Sequence, residues 1–521
     1  MPELTIDGKS VKVPNGSTVL EAAAAAGIDI PAMCSSKGCD ASISCMACVV
    51  GIEGINRLVP ACATAAAEGM RVTSESADVI EARRTAVELL LSDHAGDCEG
   101  PCRIACPASM DIPAMIRHIA AGRLEDAIAV IKSNICLPAV LGRICPAPCE
   151  KACRRAAHDG AVSICLLKRF AADADLASDR PYVPPPVPGT GARAAVVGAG
   201  PAGLAAAYHL LEAGFGCTVF DDRELPGGML RYGLEPRRLE HSVLDAEIGV
   251  IKRMGAVFET SRRIESRDMD RLRKEFDAVI VAAGKVTPER IKELALKPAE
   301  GGIATGPANR CIGTDNVFAA GGCARPTRMA VRALADGRKA ALAATAFITG
   351  GTPVEPKRRF NSRMGRLKEG EMEVFLRNAG SEPPEAPRGP NGGLSEDQAK
   401  TEASRCLHCD CRKAESCLLR KCAERLDANA KRFQCERAAF ACIDDHPQVV
   451  YEPGKCIKCG LCIQAAARKG CTGLVFIGRG YEVKPSAAFG GSLKEALGDA
   501  ALECARICPT GAIAVGSHLH F

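Results

Sequence analysis

Apolar and polar residues alternate over LTIDGKSVKV near the start of the chain, with an Asp-Gly turn in the middle, which predicts a pair of strands. VLEAAAAAG after it predicts a helix, and ARRTAVELLLSDH a second. Apolar positions at helical spacing continue around 112–121 and 124–131, so the stretch 78–178 reads as mainly helical. A different pattern opens at ARAAVVGAGPAGLAAAYHLLEAGFGCTVFDD: an apolar run, a glycine turn, an apolar helix and a second apolar run ending in acid. That order is a strand–turn–helix–strand unit. DAVIVAAGK and DNVFAAGG predict two further buried strands. No apolar run reaches 18 residues, so no membrane span is expected. Two Pro/Gly-rich stretches, 179–191 and 381–393, predict extended linkers. With a break near Ala77 they divide the chain into 1–76, 78–178, 192–350 and 395–521, with no internal repeat. The fold class is multidomain, mixing α/β and α+β.

Cysteine changes the picture most. The 521 residues include 29 cysteines. The opening MPELTIDGKSVKVP has no basic segment followed by an apolar one, so a cytoplasmic location is expected. In a reducing compartment thiols at CxxC-like spacings bind metal rather than form disulfides. Zinc sites close on one four-ligand set at a time, whereas these thiols form several spacing families, which favours iron–sulfur clusters. The formal charge of +5 counts each thiol as neutral, and the basic residues are spread along the chain, so nucleic acid is not an expected partner.

The first thiols are Cys34, Cys45, Cys48 and Cys62, spaced C-x10-C-x2-C-x13-C among small residues, which suits a 2Fe–2S core. Next come His94-x3-Cys98-x3-Cys102-x3-Cys106-Pro107, and then Cys145, Cys149 and Cys153 in LGRICPAPCEKAC. In the tail RCLHCDCRKAESCLLRKC offers Cys406, Cys409, Cys411 and Cys417, with Cys422, Cys435 and Cys442 beyond, for a 4Fe–4S cluster or zinc. KCIKCGLC gives Cys456, Cys459 and Cys462, and CARICPTGAIAV gives Cys508, a ferredoxin-type 4Fe–4S set.

IPAMC, SCMACVV and VPACATAAAEGM resemble the 2Fe–2S domain of iron-only hydrogenases and the large peripheral subunit of complex I, which implies a β-grasp ferredoxin fold at 1–76. The block 78–178 is similar to the N-terminal domain of glutamate synthase small subunits and dihydropyrimidine dehydrogenases, which holds two 4Fe–4S clusters. That resemblance implies one cluster on Cys98, Cys102 and Cys153 and another on Cys106, Cys145 and Cys149. For the first, His94 stands near the missing fourth ligand, and LLLSDHAGDC also resembles the His-plus-three-Cys site of hydrogenases and complex I. For the second, the family's Gln or Glu falls at Lys168, which cannot ligate when protonated, and Cys165 or Cys136 could replace it. VFIGRGYEVKPSAAFGGSL resembles the twin-cluster domain of the same hydrogenases, but Ala466 stands where a further thiol would be and only Cys504 remains of the partner set.

In the glycine turn, Gly198 makes the bend, Gly200 lets backbone approach a pyrophosphate and Gly203 lets helix and strand pack. The phosphates would lie on the helix N-terminus and Asp221, ending the second strand, would take a ribose. GGMLRYGL, with Gly228 and Arg231, and the late motif at Gly321 resemble the glutamate synthase small subunit, which implies a Rossmann-like FAD domain over 192–350. Gly322 replaces the family's acidic residue. Only 32 residues separate Gly284 from Val317, too few for the family's inserted NAD(P)H-binding unit.

The sequence therefore reads as an electron-transfer subunit of an oxidoreductase complex. Its expected cofactors are FAD, one 2Fe–2S cluster and three to four 4Fe–4S clusters. Its expected partner is an NADH-oxidising flavoprotein. A self-contained NAD(P)H oxidoreductase and a redox-sensing protein are the alternatives. No residue pattern names a catalytic side chain.

Overall fold

A computed structural model of the chain describes residues 1–352, 359–386, 392–434 and 436–516. It forms two compact units that do not follow sequence order. The first comprises Met1–Glu99, Arg359–Arg377 and the chain from Cys409 on, and the second Gly100–Arg358 and Asn378–His408.

The first unit opens on a mixed five-stranded sheet. Glu3–Ile6 pairs antiparallel with Lys9–Lys12 and parallel with Arg71–Thr73, which continues antiparallel to Val49–Ile52 and on to Ile55–Pro60. Leu4, Ile6, Val50 and Val72 point into a core closed by Val19, Ala22 and Ala23 of the helix Val19–Ala25. Thr18 and Glu21 form a reciprocal cap at its start. The helix Ala77–Leu91 is tied to this sheet by the buried Arg83, whose Nε donates to the Val49 carbonyl at 3.0 Å. The tail segment contributes the helices Leu461–Arg468 and Ala501–Ile507, which meet through Ala465, Ala466, Ala501, Cys504 and Ala505. Two small antiparallel ladders complete it: Val449–Tyr451 with Ile513–Val515, and Leu474–Ile477 with Lys484–Ala487.

The second unit has a helical part and a parallel sheet. The helices Ile112–Ala120, Leu124–Lys132, Pro138–Ile144 and Ile164–Ala177 pack together, matching the pair expected at 112–121 and 124–131. The sheet runs Val317–Ala319, Ala278–Val281, Arg193–Val197, Gly216–Phe220, Val257–Glu259, all parallel. The chain leaves the central strand in both directions, so a crevice opens beyond the carboxyl ends of Arg193–Val197 and Ala278–Val281.

Two of the expected regions are divided between the compact units. Of 78–178, the first helix and Cys98 group with the first unit and the rest with the second. Of 395–521, the residues up to His408 group with the second unit and those from Cys409 with the first. Helix Glu396–Ser404 belongs to the second unit, packed on Ile112–Ala120 and Ile164–Ala177. The physical reason is a buried polar knot. Arg405 is fully buried and donates to Glu402, Asp159 and the carbonyls of Gly160, Ala161 and Glu382, while Glu402 accepts from the backbone N–H of Ser163 and Glu385. The expected free linker at 381–393 is therefore docked where it is described; 387–391 lie outside the described residues, as does Cys435.

Candidate functional site: thiol centres and a dinucleotide cradle

In the first unit, Cys456, Cys459, Cys462 and Cys508 line one small cavity together with Tyr451, Pro485 and Pro509. The CxxC turn carries Lys458 in the left-handed region (φ 58°), and its N–H donates to the Cys456 sulfur at 3.3 Å. Burial pushes the Cys456 thiol up to about 11 and Cys459 to about 12, so both are neutral at physiological pH until something replaces the proton. Cys504 does not face this cavity. It is fully buried and donates to the Cys462 carbonyl at 3.3 Å, while Ala466 is core.

Cys34, Cys45, Cys48 and Cys62 are all buried, at 1–5% exposure. The Cys45 thiol bonds to the Cys34 sulfur, which holds Cys34 down to about 5 and pushes Cys45 up. Burial, then the neighbouring Cys48, pushes Cys62 up to about 12. The loop between them holds Ile43 and Met46 at positive φ (both 52°) with half-exposed side chains. A β-branched residue there is strained, and such strain persists where surrounding structure requires it. Of the 13 described non-glycine residues with positive φ, five lie in thiol-bearing turns: Ile43, Met46, Ala147, His408 and Lys458. Left-handed residues turn successive N–H groups toward one centre, the arrangement that receives an anion.

These two sets are joined. Ser42 Oγ donates to the Cys459 carbonyl at 2.6 Å, and Gln464 exchanges hydrogen bonds with Asp40 at 2.8 and 3.0 Å. Arg468 donates to the Gly38 carbonyl at 2.6 Å.

A third group forms in the same unit, and sequence spacing did not show it. Cys98 accepts at its carbonyl from the Cys411 N–H (3.2 Å) and at its sulfur from the Ser362 N–H (3.4 Å). Burial first, with Cys411 and Cys417 nearby, pushes the Cys98 thiol up to about 12. Cys102 and Cys153, with which Cys98 was expected to group, belong to the second unit. His94 lies beside Lys455 and Glu452, and burial with the Lys455 charge pushes its imidazole down to about 4, leaving it neutral. Lys455 also borders Cys411. Cys422 is buried among apolar residues of this unit.

In the second unit the helices Pro101–Ala105 and Pro148–Lys151 pack together, bringing the Cys102–Cys106 run to Cys149. Cys145, Cys149 and Cys165 are mutual neighbours, with Lys168 among them and Cys106 beside it. Cys136 is elsewhere, deeply buried near Glu247. Cys406 follows the docked helix; the Arg405 carbonyl before it accepts from Arg155, two residues past Cys153, at 2.6 Å. Cys409 is the first residue of the tail segment in the other unit.

The glycine turn sits at the crevice of the parallel sheet. A Cβ at Gly203 would stand 1.8 Å from the Gly198 carbonyl oxygen, and one at Gly228 2.6 Å from the Gly200 Cα. Gly321 meets Ala202 in the same way, and so does Gly337, whose Cβ would stand 2.0 Å from the Ala202 carbonyl. The sequence reading missed Gly337 because helix interiors carry no glycine signal of their own. Gly200 differs: a Cβ there would meet nothing closer than 3.9 Å. The protein's own packing does not require glycine at 200. Asp221 is not free to act alone. Its carboxylate accepts from the N–H of Ala199 (2.6 Å) and Arg223 (2.9 Å), fastening strand end to glycine turn. Arg231 is likewise engaged, with the Pro226 carbonyl (2.8 Å) and Asp245. Between Gly284 and Val317 the chain forms the helix Pro288–Glu293, a two-residue ladder and a short turn, with no second strand–turn–helix–strand unit.

No group of three or more described His, Cys, Asp or Glu residues closes on a single metal ion. Ligands of one zinc stand within about 4 Å of each other. An iron–sulfur cluster is held by four thiolates, and Cys456, Cys459, Cys462 and Cys508 line one cavity. The four-thiol donor set fits that group, and the open side of Gly200 fits a dinucleotide.

Residues 2–77 match the family described as 2Fe-2S iron-sulfur cluster binding domain, 72–180 the dihydropyrimidine dehydrogenase domain II, 4Fe-4S cluster, and 196–245 the NAD(P)-binding Rossmann-like domain. The chain is 40% identical over 189 residues to the NADPH-Fe(3+) oxidoreductase subunit beta of Geobacter sulfurreducens, covering 35% of this chain and 28% of the relative. It is 36% identical over 228 residues to the NADP(+)-dependent formate dehydrogenase subunit beta of Moorella thermoacetica (40% and 32%). It is 36% identical over 182 residues to the glutamate synthase [NADPH] small chain of Bacillus subtilis (34% and 36%). The chain thus spans about a third of these relatives' length. Their names bear out the resemblance to the glutamate synthase small subunit, and the matched families bear out 2Fe–2S and 4Fe–4S domains beside a Rossmann-like one.

Proposed function

We propose that this chain is an electron-relay subunit of an oxidoreductase complex, carrying electrons among iron–sulfur clusters and FAD while nicotinamide chemistry takes place on a partner chain. The observation that carries the reading is the joint between two four-thiol sets, the Ser42–Cys459 hydrogen bond of 2.6 Å with the Asp40–Gln464 pair beside it. Two separate structural metal sites have no need of such a joint, whereas a relay does.

In this reading Cys34, Cys45, Cys48 and Cys62 hold the 2Fe–2S cluster and Cys456, Cys459, Cys462 and Cys508 a 4Fe–4S cluster. Cys98, Cys411 and Cys417 hold another, with the neutral His94 as the fourth ligand. Cys106, Cys145, Cys149 and Cys165 hold one more, and Cys102, Cys153 and Cys406 belong to a further group. The turn at Gly198, Gly200 and Gly203, closed over by Gly228 and Gly321, holds the FAD pyrophosphate. FAD supplies exchange between two-electron and one-electron carriers. The relatives named above are subunits, and the gap between Gly284 and Val317 leaves no room for the inserted nicotinamide unit, which supports a partner such as an NADH-oxidising flavoprotein. No helix among the described residues is long and apolar enough to cross a membrane.

One observation favours a second reading, a self-contained NAD(P)H oxidoreductase: the match of 196–245 to an NAD(P)-binding family. An anaerobic titration separates the two. Dithionite is expected to bleach flavin and clusters, while NADH and NADPH leave the purified chain oxidised until a partner is added. Rapid bleaching by either nucleotide alone would overturn the relay reading, and chromatography of the released nucleotide identifies what the cradle holds.

A further inference from the structure

Three lysines of the described chain are almost wholly buried. Lys132 pairs with Asp175 at 2.6 Å, and Lys455 pairs with Glu452. Lys168, at 4% exposure, has no carboxylate within ion-pair distance among the described residues. Its one hydrogen-bond partner is the Cys165 sulfur at 3.8 Å, one helical turn back on Ile164–Ala177. Around the ammonium stand Cys165, Cys145, Cys149 and Cys106. Glu150 feels the same charge, but its carboxylate is engaged by the Cys165 N–H at 2.7 Å and makes no ion pair with the lysine.

A buried, unpaired ammonium is strongly destabilising, and a chain normally removes it or supplies an anion. Four neutral thiols supply none. Four thiolates around a four-iron cluster carry about two net negative charges when oxidised and about one more when reduced.

Building on the cluster reading above, we propose that Lys168 is the counter-cation of a 4Fe–4S cluster ligated by Cys106, Cys145, Cys149 and Cys165, and that its charge raises that cluster's midpoint potential. A fixed cation favours the more negative, reduced state, which gains one electron. Cys165 and Lys168 then act as a pair: the thiolate completes the ligand set and the ammonium three residues on offsets its added charge.

The test compares Lys168→Met and Lys168→Arg with the unaltered chain, each purified anaerobically with full iron. Potentiometric EPR with dithionite as electron donor is expected to show one cluster signal at a lower midpoint in Lys168→Met and at its original midpoint in Lys168→Arg, with iron content unchanged. After iron is chelated out, Lys168→Met is expected to melt at a higher temperature than the unaltered apoprotein, because the stranded charge is gone. An unchanged midpoint in Lys168→Met overturns the proposal. So does loss of about four irons from both variants, which makes the lysine a ligand, or a lower melting temperature of the Lys168→Met apoprotein. Cys149→Ser checks the underlying reading: if it loses no iron, there is no cluster and both claims fall.

Discussion

Lys455 and Lys168 are buried almost equally, at 3% and 4% exposure, but the two units neutralise them differently. In the first unit Glu452 pairs with Lys455 and also with Arg412 at 2.9 Å, so a carboxylate of the polypeptide itself faces the lysine. In the second unit Lys168 makes no ion pair among the described residues, and its hydrogen-bond partner is the Cys165 sulfur. Lys455 therefore has an ion-pair partner supplied by the chain, whereas Lys168 has none among the described residues. The comparison teaches that the ligand of a site can be inferred from a charge left over as well as from the residues that would hold it.

The largest effect expected is loss of metal. Cys459→Ser and Cys106→Ser should each remove about four irons per chain while leaving the other unit's EPR signals in place. If one substitution empties both units, the two sites do not load independently and the comparison fails.

A smaller but still large effect is expected on breaking the pair that Lys168 lacks. Glu452→Gln should destabilise the chain by about 3–5 kcal/mol, because it strands a buried cation. Adding Lys455→Met should recover part of that loss. Denaturant midpoints measure both, and a Glu452→Gln chain as stable as the original would show that Lys455 does not need its partner.

Alkali offers a milder probe. Burial raises Cys456 to about 11 and Cys459 to about 12 from the ordinary 9.0. A thiol raised on folding leaves stability intact below pH 9 and removes it as pH climbs through the folded value. The apoprotein should therefore lose melting temperature between about pH 9 and 11, and the iron-loaded protein should not, since its sulfurs are already thiolates. A flat apoprotein profile would mean these thiols are not buried in the metal-free chain.

The smallest effect belongs to the joint between the first two thiol sets. Ser42→Ala removes one hydrogen bond to Cys459 and should cost about 1 kcal/mol with no loss of iron. Thermal melting and an iron assay read it, and loss of the 2Fe–2S signal would show that Ser42 holds the cluster loop itself.

Much of this was legible without coordinates. The spacing of Cys34, Cys45, Cys48 and Cys62, the CxxCxxC at Cys456–Cys462 with Cys508-Pro509, and the turn at Gly198–Gly203 are local patterns, because a ligand loop or a phosphate-binding turn is built from residues near in sequence. The helices at 112–120 and 124–132 followed from apolar periodicity alone. Spacing also brought Cys165 into consideration, but only the fold put it with Cys145 and Cys149 and left Cys136 apart. The placement of Cys98 beside Cys411 and Cys417, the docking of Glu396–Ser404 through Arg405, the engagement of Asp221 with Ala199 and the lack of an ion-pair partner for Lys168 among the described residues were decided by tertiary structure. Each depends on which distant backbone and charges meet in space, and those meetings are set by the packing of whole units: the chain leaves the first unit after Glu99, returns for Arg359–Arg377 and returns again at Cys409, a path no local spacing records.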